Sequence, residues 1–182
     1  MWLRGKFYSV SQHYFELFKL PVQYEIDLSL LESHYRKIQA EVHPDKFVTA
    51  SPAERLLSMH TATLANEAYQ TLKHPTARAR YFLQLNGIET LEERNTAMPT
   101  DFLMLQMEWR EAIEEAETAK DIPSLESQLI MMKTTANALQ QKLVTVLADK
   151  TTFVQAAEIV RKLSFIDKVS ADVNNMIARL DD

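Results

Sequence analysis

Val42-His43-Pro44-Asp45-Lys46-Phe47 interrupts two helical patterns, and its reading decides the fold. Pro44 has no backbone N–H and disfavours helical backbone at the residue before it, so a helix arriving from upstream must stop near His43. Upstream, Asp27 offers an N-cap, and Leu28, Leu31, Tyr35, Ile38 and Val42 recur at intervals of three and four, lining one helix face. Downstream, Ser51-Pro52-Ala53-Glu54 is a start signal, with Ser51 placed to cap, Pro52 at the first helical position and Glu54 placed to reach back. Leu57, Thr61, Leu64, Ala68 and Leu72 then form a second stripe. Two amphipathic helices joined by a short proline loop are expected to pack as an antiparallel hairpin. His43 and Asp45 are expected to stand exposed at the bend, the alternative being a plain helix stop with a capping aspartate.

Outward from the hairpin, Tyr14-Phe15-Glu16-Leu17-Phe18-Lys19-Leu20 reads as a short apolar helix halted at Pro21. Residues 1–12 lack periodicity and read as an N-terminal extension. His74-Pro75 closes the second long helix, and a further helix from Thr76 to Asn86 runs to Gly87, where a left-handed C-terminal cap is expected. Together 13–87 form a first domain. A polar segment, 88–99, reads as a linker. Beyond it, helical segments near 100–120, 124–148 and 152–181 make a second domain, 100–182. The middle segment has Leu125, Leu129, Met132, Ala136, Leu139, Leu143 and Val146 alternating four and three, a bundle seam. The last has Phe153, Ala156, Val160 and Leu163, then Val169, Val173, Met176 and Leu180. An antiparallel three-helix bundle buries all three stripes, so the expected fold class is all-α throughout.

Composition supports helices and narrows the chemistry. Only two glycines occur, against a usual share of about 7%, which leaves little room for strands joined by tight turns or for a phosphate-cradling loop. No cysteine occurs, excluding disulfides, thiolate metal sites and a cysteine nucleophile. No stretch approaches the ~20 apolar residues of a membrane span or an apolar leader, and the expected location is the cytoplasm. Residues 1–87 carry ten Lys or Arg and eight Asp or Glu, whereas 88–182 carry ten and seventeen, a net of −7. The halves therefore suit different partners. Nucleic acid is not expected, for want of a basic stripe.

The helix from Thr100 carries more apolar side chains than one buried face needs. Phe102, Leu105, Trp109, Ile113 and Ala116 share the core side, while Met104 and Met107 share a second face with Glu108, Glu111 and Glu115, and Leu103 lies between. Adaptable thioethers ringed by carboxylates suit docking of a partner with basic character. Phe165 falls off the core stripe of its own helix and can join that patch. A search for catalytic groups finds none. The five histidines, at 13, 34, 43, 60 and 74, make no metal pair four residues apart on a helix, and no serine sits in a nucleophile elbow. Neither an enzyme nor a bound metal or cofactor is expected.

The flanks of the proline loop resemble a J domain, and specifically the HscB-type co-chaperone family of iron-sulfur cluster assembly. The residues carrying the resemblance are Tyr14-Phe15-Glu16-Leu17-Phe18, His43-Pro44-Asp45-Lys46-Phe47, Ala65-Asn66-Glu67-Ala68-Tyr69-Gln70-Thr71-Leu72, and Arg78-Ala79-Arg80-Tyr81-Phe82-Leu83-Gln84-Leu85-Asn86-Gly87. Phe102-Leu103-Met104, Arg110-Glu111 and 161–168 extend it to the C-terminus. The resemblance implies docking on a DnaK-class ATPase chaperone and stimulation of its ATP hydrolysis, with His43, Pro44 and Asp45 as the essential contact and Lys46, Arg36 and Lys37 steering. It implies that the C-terminal bundle binds an IscU-type iron-sulfur scaffold through Leu103, Met104, Met107, Glu108, Glu111, Glu115 and Phe165, the face that periodicity had already separated from the core. Glu32 and Glu41 dilute the positive face, and Val42 stands where the broader J-domain pattern has an aromatic, which suits a dedicated chaperone of HscA type. The rival reading is a general J-protein delivering unfolded clients, although the chain lacks a glycine- and phenylalanine-rich linker and a cysteine zinc module. A second rival is a passive helical adaptor in which the proline loop is only a helix stop.

Overall fold

A computed structural model describes residues 13–90 and 98–181; the expected extension, 1–12, and most of the expected linker, 91–97, lie outside the described residues. Among the described residues the fold is all-helical. Its seven α-helices are α1 (Tyr14–Leu17), α2 (Leu28–Glu41), α3 (Pro52–Lys73), α4 (Pro75–Leu85), α5 (Thr100–Ala119), α6 (Ile122–Val146) and α7 (Phe153–Asp181). Short 3-10 turns at Pro44–Phe47 and Lys150–Thr152 follow α2 and precede α7. The chain divides into two compact units between Phe82 and Leu83.

In the first unit α2 and α3 form the hairpin. Asp27 accepts the N–H groups of Ser29 and Leu30, which starts α2. Ser51 and Glu54 form the reciprocal capping box that starts α3, with Pro52 at its first position. Leu31 and Ile38 from α2 meet Ala65, Ala68 and Leu72 from α3 in the core, joined by Phe15, Leu17 and Phe18 from the α1 segment. Five expected core positions are less buried than their spacing suggests: Leu28 is half exposed, and Tyr35, Val42, Leu57 and Leu64 lie at the boundary. Tyr35 stacks on Tyr69 at 4.1 Å and donates its hydroxyl to Asn66. The amphipathic ring thus keeps its polar tip at the solvent edge.

The first helix ends earlier than expected. α1 stops at Leu17 because Lys19 turns the chain at φ 52°, in the left-handed region, four residues before Gln23; Pro21 is not the stop. Arg78, nearly buried on α4, closes the far end of the hairpin. It donates to the carbonyls of Tyr24 at 2.7 Å and Leu72 at 2.6 Å and lies over the Tyr24 ring, so the unsatisfied carbonyls at the C-terminus of α3 receive a cation. Gly87 adopts φ +76°, as its position after α4 predicted.

In the second unit α5, α6 and α7 pack mutually as a three-helix bundle. Phe102, Trp109, Ile113 and Ala116 face Leu125, Met132, Ala136 and Leu143, while α7 adds Phe153, Ala156, Val160, Leu163 and Val173. Periodicity missed Ala157, Ile159 and Ile166, which are also buried, so the buried side of α7 is wider than a single seam. Asp121 caps α6 through the Ser124 N–H, and Lys120 reverses the chain before it at φ 54°.

Candidate functional site

The His-Pro-Asp turn is built by local chemistry. Val42 ends α2 by donating its N–H to Ile38, and His43 takes extended backbone at φ −60° and ψ 134°, as a residue before proline must. The chain then tightens into one 3-10 turn, with the Lys46 N–H on the His43 carbonyl at 3.0 Å. The cap here is His43 and not Asp45: its Nδ1 accepts the Asp45 N–H at 3.3 Å. This assigns the acceptor role to Nδ1 and leaves the proton on Nε2 as a donor toward solvent. Asp45 Oδ2 stands 3.5 Å from the same Nδ1, and both side chains are largely exposed.

A residue that sequence reasoning did not single out anchors the turn. Ser58, 6% exposed on α3, donates its hydroxyl to the Val42 carbonyl at 2.7 Å. Its spacing three residues before Thr61 put it on the core side of α3, but only the fold brings it against the end of α2. With Phe47 half buried beneath, the base of the turn is held while His43, Pro44, Asp45 and Lys46 face solvent.

The three expected steering cations differ. Lys37 and Lys46 are exposed. Arg36 hydrogen-bonds to Glu32, one turn earlier on the same exposed face. That hydrogen bond and the attraction accompanying it hold the Glu32 carboxyl below its ordinary range and raise the guanidinium.

On the second unit, Leu103, Met104 and Met107 are 43%, 59% and 63% exposed, and Glu108, Glu111 and Glu115 are exposed beside them. Trp109 and Phe102, on the opposite side of α5, are buried, so the two faces divide as periodicity indicated. The half-buried Phe165 of α7 meets Phe102 edge-on at 5.9 Å, and Lys162 lies over the Phe102 ring while pairing with Glu158. Phe165 therefore reaches the start of α5. The acidic end of the helix borders an open cleft of about 470 Å³ lined by Glu111, Glu114, Glu115, Thr118 and Ala119. Among the described residues, no cluster of three or more His, Asp or Glu is arranged to hold a metal, and no helix is long and apolar enough to cross a membrane.

Residues 98–174 match the sequence family described as "HSCB C-terminal oligomerisation domain". A protein of Paraburkholderia phymatum named "Co-chaperone protein HscB homolog" is 45% identical over 173 residues, covering 95% of this chain and 98% of that one. The solved chaperone HscB from Vibrio cholerae is 39% identical with a TM-score of 0.78, over 93% of this chain and 99% of its own. Human co-chaperone HscB is 28% identical with a TM-score of 0.83, over 91% and 82%.

Proposed function

The chain belongs to the HscB co-chaperone family, and from that membership we propose that it docks on a DnaK-class ATPase chaperone of HscA type and delivers to it an IscU-type scaffold during iron-sulfur cluster assembly in the cytoplasm. Its fold is that of the family's solved members, an N-terminal J domain followed by a C-terminal helical bundle. The observation that carries the reading is the exposure of His43, Pro44 and Asp45 on a turn whose base is tied to α3 by Ser58. A helix stop needs the proline; it does not need an outward imidazole donor beside a carboxylate. Such a pair offers one donor and one charged acceptor to a polar partner surface.

ATP hydrolysis occurs in the partner. This chain contributes contacts, with Lys37 and Lys46 attracting an acidic chaperone surface and Arg36 partly neutralised by Glu32. The α5 face binds the scaffold, its methionines and Phe165 supplying adaptable apolar area and Glu108, Glu111 and Glu115 selecting basic groups. One chain holding both partners turns the encounter of scaffold and chaperone into an intramolecular event, which raises its effective concentration.

The test is steady-state ATP hydrolysis by the cognate chaperone with this protein, with and without scaffold. Stimulation is expected to rise synergistically with scaffold and to vanish in His43→Gln. A Glu108→Lys, Glu111→Lys variant is expected to lose the scaffold dependence and keep the basal stimulation. Stimulation indifferent to His43, or scaffold affinity unchanged by the double reversal, overturns the corresponding assignment.

A further inference from the structure

The first turns of α3 carry an apolar strip that the core does not use. The buried side of this helix is set by Ser58, Thr61, Ala65, Ala68 and Leu72. Leu56 and Met59 point away from it, 70% and 66% exposed, and Val48, in the loop before the helix, is 71% exposed. Among the described residues of the first unit these are the three most exposed large apolar side chains. At 100° per residue Pro52 and Thr63 fall in line with Leu56 and Met59, all four exposed, so that line is uncharged for about three turns. Thr63 donates its hydroxyl to the Met59 carbonyl at 3.0 Å and keeps no free donor for a partner.

The strip ends beside the His-Pro-Asp turn. The Ser58 hydroxyl meets the Val42 carbonyl at 2.7 Å, and the residues that follow these two in the chain are Met59 and His43. About two turns beyond Met59, Asn66 accepts hydrogen bonds from Tyr35 and Gln39 of α2, which puts Met59 on the same side of the hairpin as those side chains. The rim of the strip is cationic. Arg55 stands one turn before Met59, and Lys46 lies in the turn, both exposed. Glu54, two residues before Leu56 and so across the helix from it, is engaged by Ser51. The methionines of α5 are rimmed instead by Glu108, Glu111 and Glu115, so the two apolar faces suit partners of opposite charge. We propose that Val48, Leu56 and Met59 form a second, apolar contact for the DnaK-class chaperone, continuous with the turn and seated on an apolar spot within an acidic chaperone surface. This rests on the docking proposed above for His43, Pro44 and Asp45. Polar side chains on the turn orient the partner; apolar area desolvated beside them slows its departure.

The test is a titration of the cognate chaperone's ATPase with variants of the full chain. Leu56→Gln combined with Met59→Gln keeps helix propensity and removes most of the apolar area. The concentration giving half-maximal stimulation is expected to rise on the order of tenfold, at low and high salt alike because the contact is not ionic. Scaffold affinity and the thermal unfolding midpoint are expected to stay those of the parent. Val48→Thr, nearly the same shape, is expected to give a smaller rise of the same kind, and Arg55→Gln a rise at low salt only. His43→Gln, run alongside, separates the two levels of the argument. If it abolishes stimulation while the double glutamine variant matches the parent, the apolar contact is overturned and the docking turn stands. Stimulation indifferent to His43 overturns the turn and this contact with it. A loss confined to scaffold affinity or to the scaffold-dependent part of the stimulation gives the strip to the scaffold and overturns the proposal.

Discussion

Replacing Arg78 by Met should loosen the hairpin that carries the His-Pro-Asp turn. Arg78 is 8% exposed and donates short hydrogen bonds to the Tyr24 and Leu72 carbonyls, with a longer one to Lys73 at 3.5 Å. Methionine keeps most of the aliphatic volume and its contact with the Tyr24 ring but donates nothing. Two buried carbonyls are stranded, at roughly 1–3 kcal/mol each, offset in part because a buried guanidinium no longer has to be desolvated, the effect that lowers the Arg78 pKa. The expected loss is about 3 kcal/mol, a large share of a small domain's stability. Urea unfolding followed by circular dichroism measures the total. Hydrogen exchange localises it: amides of α2 and α3 should exchange on the order of 100-fold faster, while those near Met132 in the other compact unit keep the parent's protection. Arg78→Lys, with one donor centre in place of a fork, should fall between the two. A variant within about 0.5 kcal/mol of the parent, or one whose lost protection lies in α6, would refute the view that Arg78 clamps the end of α3.

The remaining predictions concern the ends of the helices. Ser58→Ala removes the buried donor from the Val42 carbonyl, and chaperone stimulation should fall through a weaker docking constant, with the maximal rate at saturating co-chaperone unchanged; a fall in maximal rate alone argues against a positioning role. The capping box predicts a pH dependence. Hydrogen bonds from Ser51 lower the Glu54 pKa, so the unfolded chain binds this proton first on acidification. The stabilisation is complete above the usual carboxylate value of about 4.3 and is lost as pH falls through the depressed folded value. Ser51→Ala should flatten that part of the stability profile, and an unaltered acid limb would count against the cap.

The elements legible in the sequence were those specified by neighbours. Asp27, Ser51, Pro52, Glu54 and Pro44 act within three or four residues of themselves, so the hairpin, its caps and its turn could be read in advance. The division of α5 into buried Trp109 and exposed Met104 and Met107 follows from one period of 3.6 residues. The rest depends on distance along the chain. Tyr14 stacks on Tyr81, and Arg78 reaches Tyr24, across more than fifty residues, which no local pattern encodes. Lys19 and Lys120 turn the chain in left-handed backbone, where glycine would have been the signal. The choice of His43 over Asp45 as the cap rests on which of two adjacent polar groups reaches the backbone N–H, a matter of ångströms.

The Glu32–Arg36 pair bears on how recognition fares in a changing ionic environment. A lone surface cation projects attraction over about 8 Å at physiological ionic strength, and that reach shrinks as salt rises. A cation already matched within one helical turn presents a dipole, whose field is short-ranged from the outset and has little left for counter-ions to screen. Docking that leans on such a face loses speed of encounter at low salt and holds its strength as salt increases. It also gives indiscriminate polyanions less to grip, so the docking proposed above would rest more on the shape and hydrogen bonds of the turn at His43 than on charge.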